Sequence, residues 1–253
     1  MIRNWIKSLD GLLRGDVTKL TSLQNGAIEV PTGGMLILIV VLGAFYGVCM
    51  ACFAAFNRPV AAAMMQMVAS AGKIPLLFLL TLLVTFPSLY VFNALIGSRL
   101  TLRVVWQLLI ATLTVMIAVL ASLGPVVAFF SGSTTGYNFM LMFNVLVCAA
   151  SGFLGLKFLL FTLQRLTLVL DKENASTPEP QGALEKVEGR AFSGNVRAIF
   201  RIWVIVFALV GAQMSWVLRP FIGDPSMPFT WLRERDSSFF IAVWHVFWKL
   251  LGA

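Results

Sequence analysis

Charge is scarce in this sequence. Asp, Glu, Lys and Arg make up 12% of its 253 residues, apolar residues make up 59%, and the mean hydropathy is +0.89. A soluble domain carries about 25% charged residues. The charges present are too few to coat a water-soluble globule of this length, which excludes an ordinary cytosolic enzyme and a disordered chain. Cysteine is scarce as well. Cys49, Cys52 and Cys148 cannot form a disulfide framework, and all three fall inside apolar runs. The single histidine, His245, has no second imidazole or clustered carboxylates with which to build a usual zinc site. The sequence contains no GxSxG, Walker A, GxGxxG or HExxH pattern. No catalytic residue, cofactor or metal is therefore expected.

What is present is a set of long apolar runs. A bilayer core of about 30 Å needs roughly 20 apolar residues as helix. Five runs reach that length: Met35–Phe56, Pro75–Leu95, Val104–Phe130, Tyr137–Leu163 and Ile199–Leu218. Backbone groups in hydrocarbon must bond within their own segment, so each run is expected to be a helix. Pro75 stands at a first-turn position, and Gly124-Pro125 is expected to kink or end the third run. None of the five contains Asp or Glu. Proton-coupled pumps and many ion-coupled transporters place carboxylates at mid-membrane, so that class is disfavoured. The polar residues in the runs include Asn93, Gln107, Asn144 and Gln213, which are suited to bonding between helices. The fold class expected is all-α, a polytopic bundle of five spanning helices with an interfacial amphipathic helix at each end.

The N-terminal candidate is residues 1–14. Ile2, Trp5, Ile6, Leu9, Leu12 and Leu13 share one face, and Arg3, Lys7, Asp10 and Arg14 share the other. Such a helix lies on the membrane or packs against the inner face of its own protein. The C-terminal candidate is Ser237–Leu251, at about 23 Å short for a span, with Asp236 or Ser237 as its cap; it reads as an outer-face interfacial or re-entrant helix, with a sixth span as the alternative. Between the ends, the sequence divides into a cytoplasmic segment 1–34, four spans over 35–170, a flexible cytoplasmic loop over 171–196, and a fifth span with an outer-face loop over 197–253. The first strongly apolar stretch begins near Met35, too late for a cleavable signal peptide, so the first span is expected to serve as the insertion signal.

The formal net charge of +8 is distributed as a topology signal. With the N-terminus inside, the inner segments hold Arg3, Lys7, Arg14, Lys19, Arg99, Arg103, Arg165, Lys172, Lys186, Arg190 and Arg197. The outer ones hold Arg58, Lys73, Arg219, Arg233, Arg235 and Lys249. The excess favours a cytoplasmic N-terminus and a C-terminus outside. Lys157 and Arg201 can snorkel from near the inner helix ends. Trp106, Trp203, Tyr137 and Trp216 fall where interfacial belts are expected. No basic stripe is interleaved with exposed aromatics, so nucleic acid is not an expected partner.

Small residues recur at spacing four. Gly43 and Gly47 form a GxxxG pattern that Ala51 extends, and Ser151 with Gly155 and Gly211 with Ser215 repeat the spacing. Such stripes let helix backbones approach closely, either within one chain or between copies in a homo-oligomer. The letters Cys49-Met50-Ala51-Cys52 match CxxC, but with no cationic neighbour they read as small buried residues. Met64, Met65 and Met67 read as part of a short apolar helix, Pro59–Ala71, closed by Gly72, in preference to a Cu(I) site.

The densest polar feature is Arg219–Ser238, with three prolines and alternating charges. It reads as a rigid outer ledge in which Arg219 pairs with Asp224, and Glu234 with a neighbouring arginine. Arg219, Phe221, Asp224, Trp231, Arg233 and Arg235 are the candidates for docking a partner there.

Two stretches, KIPLLFLLTLLVTFPSLYVFNAL (Lys73–Leu95) and SWVLRPFIGDP (Ser215–Pro225), resemble uncharacterised bacterial polytopic membrane proteins. The five-span layout is also similar to that of Yip-type membrane proteins, without their Asp-Leu-Tyr-Gly-Pro element. Neither resemblance carries an activity. The expected function is that of a non-catalytic subunit in the cell's inner membrane. It would assemble in the lipid bilayer with itself or with other envelope proteins into a structural or pore-forming complex. The alternative is a channel, or a permease-like transport subunit working with a soluble ATPase.

Overall fold

The computed structural model describes residues 2–15, 31–95, 102–176, 188–233 and 238–250. Among them the regular structure is entirely helical: α1 (Ile2–Arg14), α2 (Thr32–Asn57), α3 (Val60–Leu95), α4 (Leu102–Ser133), α5 (Tyr137–Ser176), α6 (Glu188–Leu218) and α7 (Phe239–Leu250). The helices α2 to α6 each contain a stretch long and apolar enough to cross a membrane. This is the architecture of a multi-pass membrane protein. The 12 residues of α7 give about 18 Å of helix, short of a span.

Several boundaries differ from those the sequence implies. Neither Gly72 nor Pro75 breaks α3, which runs unbroken from Val60 to Leu95 and also contains Pro87. Pro75 is buried, and Gly43 of α2 leaves room for it: a Cβ at Gly43 would stand 3.3 Å from the Pro75 Cα. Inside a span a proline is tolerated where the backbone group that it frees finds another partner. Likewise α4 continues through Gly124-Pro125 to Ser133. Gly124 seats α4 on α2, where a Cβ would lie 3.1 Å from Cys49 Sγ. The polar stretch 171–196 is shorter as a connection than expected, because α5 reaches Ser176 and α6 begins at Glu188. The remainder, 177–187, lies outside the described residues, as do the proposed caps Asp236 and Ser237.

The chain forms two compact units, each discontinuous in sequence. One comprises 1–36, 83–115 and 155–207, the other 37–82, 116–154 and 208–253. In the first, α1 docks on α2. A Cβ on Gly34 would stand 2.6 Å from Trp5 Nε1, so the absence of a side chain there admits the indole. Leu12 is buried, while Ile6 and Leu13 of the same face stay exposed. Trp203, expected in an interfacial belt, is instead buried, and its Nε1 donates to the Thr85 carbonyl at 2.9 Å. Trp106 meets Phe86 edge-on, with ring centroids 5.0 Å apart.

The second unit packs α2 on α3 through the small-residue stripe. A Cβ at Gly47 would fall 2.9 Å from the Ala71 Cα and nearer still to the Ser70 carbonyl. The Tyr46 hydroxyl donates to Asn144 Oδ1 at 2.9 Å, and Asn144 Nδ2 donates to the Met140 carbonyl at 2.8 Å. All three residues are buried, so these polar groups find partners where water would not supply them. By burial, α4 is the most enclosed of the five long helices and α6 the least: 72% of the most apolar stretch of α4 is buried, against 6% for α6.

Candidate functional site

The feature with the densest tertiary hydrogen bonding is the segment after α6, residues 219–233. Its anchors come from α3 and from the turn before it. Pro59 biases Arg58 away from helical backbone, which ends α2 at Asn57 and leaves the Arg58 side chain at the mouth of the turn. From there Arg58 donates through Nε to the Asp224 carbonyl at 3.1 Å, and through Nη2 to the carbonyls of Asp224 and Met227.

On α3, Gln66, Ser70 and Lys73 stand four and three residues apart, so they form one stripe along the helix. All three are buried. A buried polar group without a partner is costly, so this stripe needs acceptors. The segment 219–233 has them to give. Pro220, Pro225 and Pro228 keep it out of helix and ladder, leaving its carbonyls free of regular partners. Gln66 Nε2 donates to the carbonyls of Pro220 and Phe221, at 3.1 and 2.9 Å. Ser70 Oγ donates to the Phe221 carbonyl, and Lys73 Nζ to those of Pro220, at 3.1 Å, and Trp231.

The segment is also organised internally. The Arg219–Pro220 peptide is cis, and Gly223 adopts φ = 84°, a left-handed conformation that favours glycine. Asp224 Oδ1 accepts from Ser226 N and Oγ, at 3.0 and 2.7 Å. The Arg233 amide donates to the Arg219 carbonyl at 3.3 Å, which closes the segment on itself.

The residues singled out from sequence are distributed unevenly. Asp224 takes its ion pair from Arg233, at 3.9 Å, not from Arg219 as expected. The Arg219 guanidinium instead lies 3.6 Å from the ring centroid of Trp216, one helical turn's end away, because the end of α6 holds the two side by side. Phe221 is half-buried, with its ring 6.0 Å from Lys73 Nζ. Trp231 is 57% exposed and meets Phe229 edge-on. Arg235 and Glu234 lie outside the described residues. The anchors Arg58, Gln66, Ser70 and Lys73 were not among the sequence candidates. The signal for three of them was the 4-and-3 spacing of polar residues in an otherwise apolar helix.

Gly43, Gly47 and Ala51 are buried, and the first two face α3. Ser151 is buried and donates to the Cys148 carbonyl at 3.0 Å. Gly155 is buried too. Gly211 sits against Thr81, to which a Cβ would make ordinary contact at 3.5 Å, and Ser215 donates to the Ala212 carbonyl at 2.7 Å. Met64 and Met65 are exposed on α3, and no group of three His, Cys, Asp or Glu able to hold a metal occurs among the described residues. His245 is exposed on α7.

Open grooves elsewhere among the described residues include two. One, of about 470 Å³, is lined by Lys157, Phe158, Phe161, Gln164 and Arg201. The other, of about 310 Å³, lies along Leu209, Gln213, Met214 and Val217. Comparison with protein-family models, with curated proteins and with solved structures yields no match to this chain.

Proposed function

We propose that this chain is a non-catalytic subunit of a membrane assembly, and that segment 219–233 is the surface through which it docks. The observation that carries this reading is the contrast between the segment's two sides. One side is fastened by Arg58, Gln66, Ser70 and Lys73. The other presents Met227, Trp231 and Leu232, each at least half exposed. Fixed aromatic and apolar side chains bind with little loss of conformational freedom, which makes them good anchors for a partner. In the same unit α7 has no buried residue among those described, and it exposes Phe240, Ile241, Trp244, Phe247 and Trp248.

The basic residues favour a cytoplasmic N-terminus, which places this surface outside the inner membrane. In this reading α1 and α7 lie along the membrane faces, where their apolar sides enter the headgroup boundary. The partner is a second copy or another membrane protein. The test is the particle mass of the protein extracted gently and reconstituted in nanodiscs. A mass above one chain is expected, falling to one chain in the Trp231→Ala, Leu232→Ala double variant. A strictly single-chain particle with nothing co-purifying would count decisively against assembly.

A further inference from the structure

Two guanidinium groups of the anchoring cluster, those of Arg58 and Arg233, have a buried donor that no acceptor among the described residues takes up. Four cations, Arg58, Lys73, Arg219 and Arg233, gather with one carboxylate, Asp224, among the described residues. All five are at most half exposed. Arg58 donates to the Asp224 carbonyl at 3.1 Å and Arg233 faces the Asp224 carboxylate at 3.9 Å, so the two guanidinium groups meet at this residue. Asp224 is already committed. Its Oδ1 accepts two bonds from Ser226, and its Oδ2 faces Arg233 Nη1 at 3.9 Å. Two buried guanidinium nitrogens on different segments, Arg58 Nη1 and Arg233 Nη2, have no hydrogen-bond acceptor.

Buried cationic N–H groups without acceptors are rare, because each forfeits its hydration. We propose that this cluster is a binding site for a phosphate group, held between Arg58 and Arg233. A phosphate fits for two reasons. Its several oxygens can accept from donors arriving on different sides, and guanidinium forks match its geometry. Its charge also complements the two guanidinium groups, which chain carbonyls alone cannot do. The phosphate comes either from an anionic lipid headgroup at the membrane face or from the free anion in solution. The site does not rest on assembly, because a single-chain particle can hold it equally well.

The experiment uses the full chain and reads thermal unfolding. In lipid-free detergent, inorganic phosphate is titrated against chloride at matched ionic strength. The full chain is also placed in phosphatidylcholine and in phosphatidylglycerol nanodiscs without phosphate. Stabilisation by phosphate over chloride, or by phosphatidylglycerol over phosphatidylcholine, is expected. Arg58→Gln and Arg233→Gln should each raise the apparent phosphate Kd about tenfold, the scale of one lost charged hydrogen bond, while Lys249→Gln leaves it unchanged. If phosphate adds no stability once phosphatidylglycerol is present, the headgroup is the source. If it still adds stability there, the free anion is. Absence of both effects in the unaltered chain overturns the proposal even if the variants do not fold. So does equal stabilisation of the unaltered chain and both variants.

Discussion

Gly223 shows how much can depend on one missing side chain. Its φ of 84° lies where a Cβ is strained, and an added Cβ would stand 3.0 Å from Gln66 Cγ and 3.2 Å from the Ala54 Cβ. Backbone strain and crowding then act together, so Gly223→Ala should destabilise the protein by about 1–3 kcal/mol. Thermal unfolding in nanodiscs measures this, and an unchanged midpoint would show that the segment rebuilds at no cost. Tyr46→Phe tests a different kind of contact. It removes the hydroxyl that donates to Asn144 Oδ1 at 2.9 Å. Bonds between membrane helices average about 0.6 kcal/mol and reach about 1.7. A loss in that range is expected in the same measurement.

At the scale of helices, the contact of α2 with α3 depends on Gly47. The atoms nearest its missing Cβ are backbone atoms of Ser70 and Ala71, which cannot rotate aside as the end of a side chain would. Gly47→Leu should therefore part the two helices and cost more than about 3 kcal/mol, beyond the ordinary range for single substitutions. Gly72→Ala serves as the control, since its missing Cβ faces open space. A melting point equal for the two variants would refute the close packing. All five long helices were legible in the sequence, because lipid-length apolar runs leave helix as the only well-bonded form. Their ends were less legible. Gly72, Pro75 and Gly124-Pro125 read as punctuation by the rules of water-exposed chains, yet α3 and α4 pass through all of them. A neighbouring helix fills the space at Pro75 and Gly124, and a single sequence does not show which neighbour that is.

The segment 219–233 was legible as a non-helical turn system, but not its fastening. Arg58 and Lys73 read as topology signals, and their acceptors lie 166 and 147 residues further along the chain. Local pattern carries no information about such pairings. The partner of Asp224 was missed for a related reason: either arginine would satisfy the charge, and only the closed segment selects Arg233.

For the whole molecule, the orientation drawn from the Lys and Arg excess has a direct test. Ser226 is exposed on the ledge. With Cys49, Cys52 and Cys148 replaced by alanine, Ser226→Cys should react with a membrane-impermeant maleimide in intact cells. Labelling that requires permeabilised cells would reverse the orientation drawn from the Lys and Arg excess.

The anchoring of 219–233 also sets an order of events in time. Lys73 leaves the ribosome 147 residues ahead of the Pro220 whose carbonyl it will hold. At about 5–20 residues per second, that interval is roughly 7–30 seconds. Throughout it Gln66, Ser70 and Lys73 have been made, while the carbonyls that they hold in the folded chain have not. The fastening therefore cannot be completed until nearly the whole chain has been synthesised, and any factor that escorts this protein during synthesis has that interval in which to act.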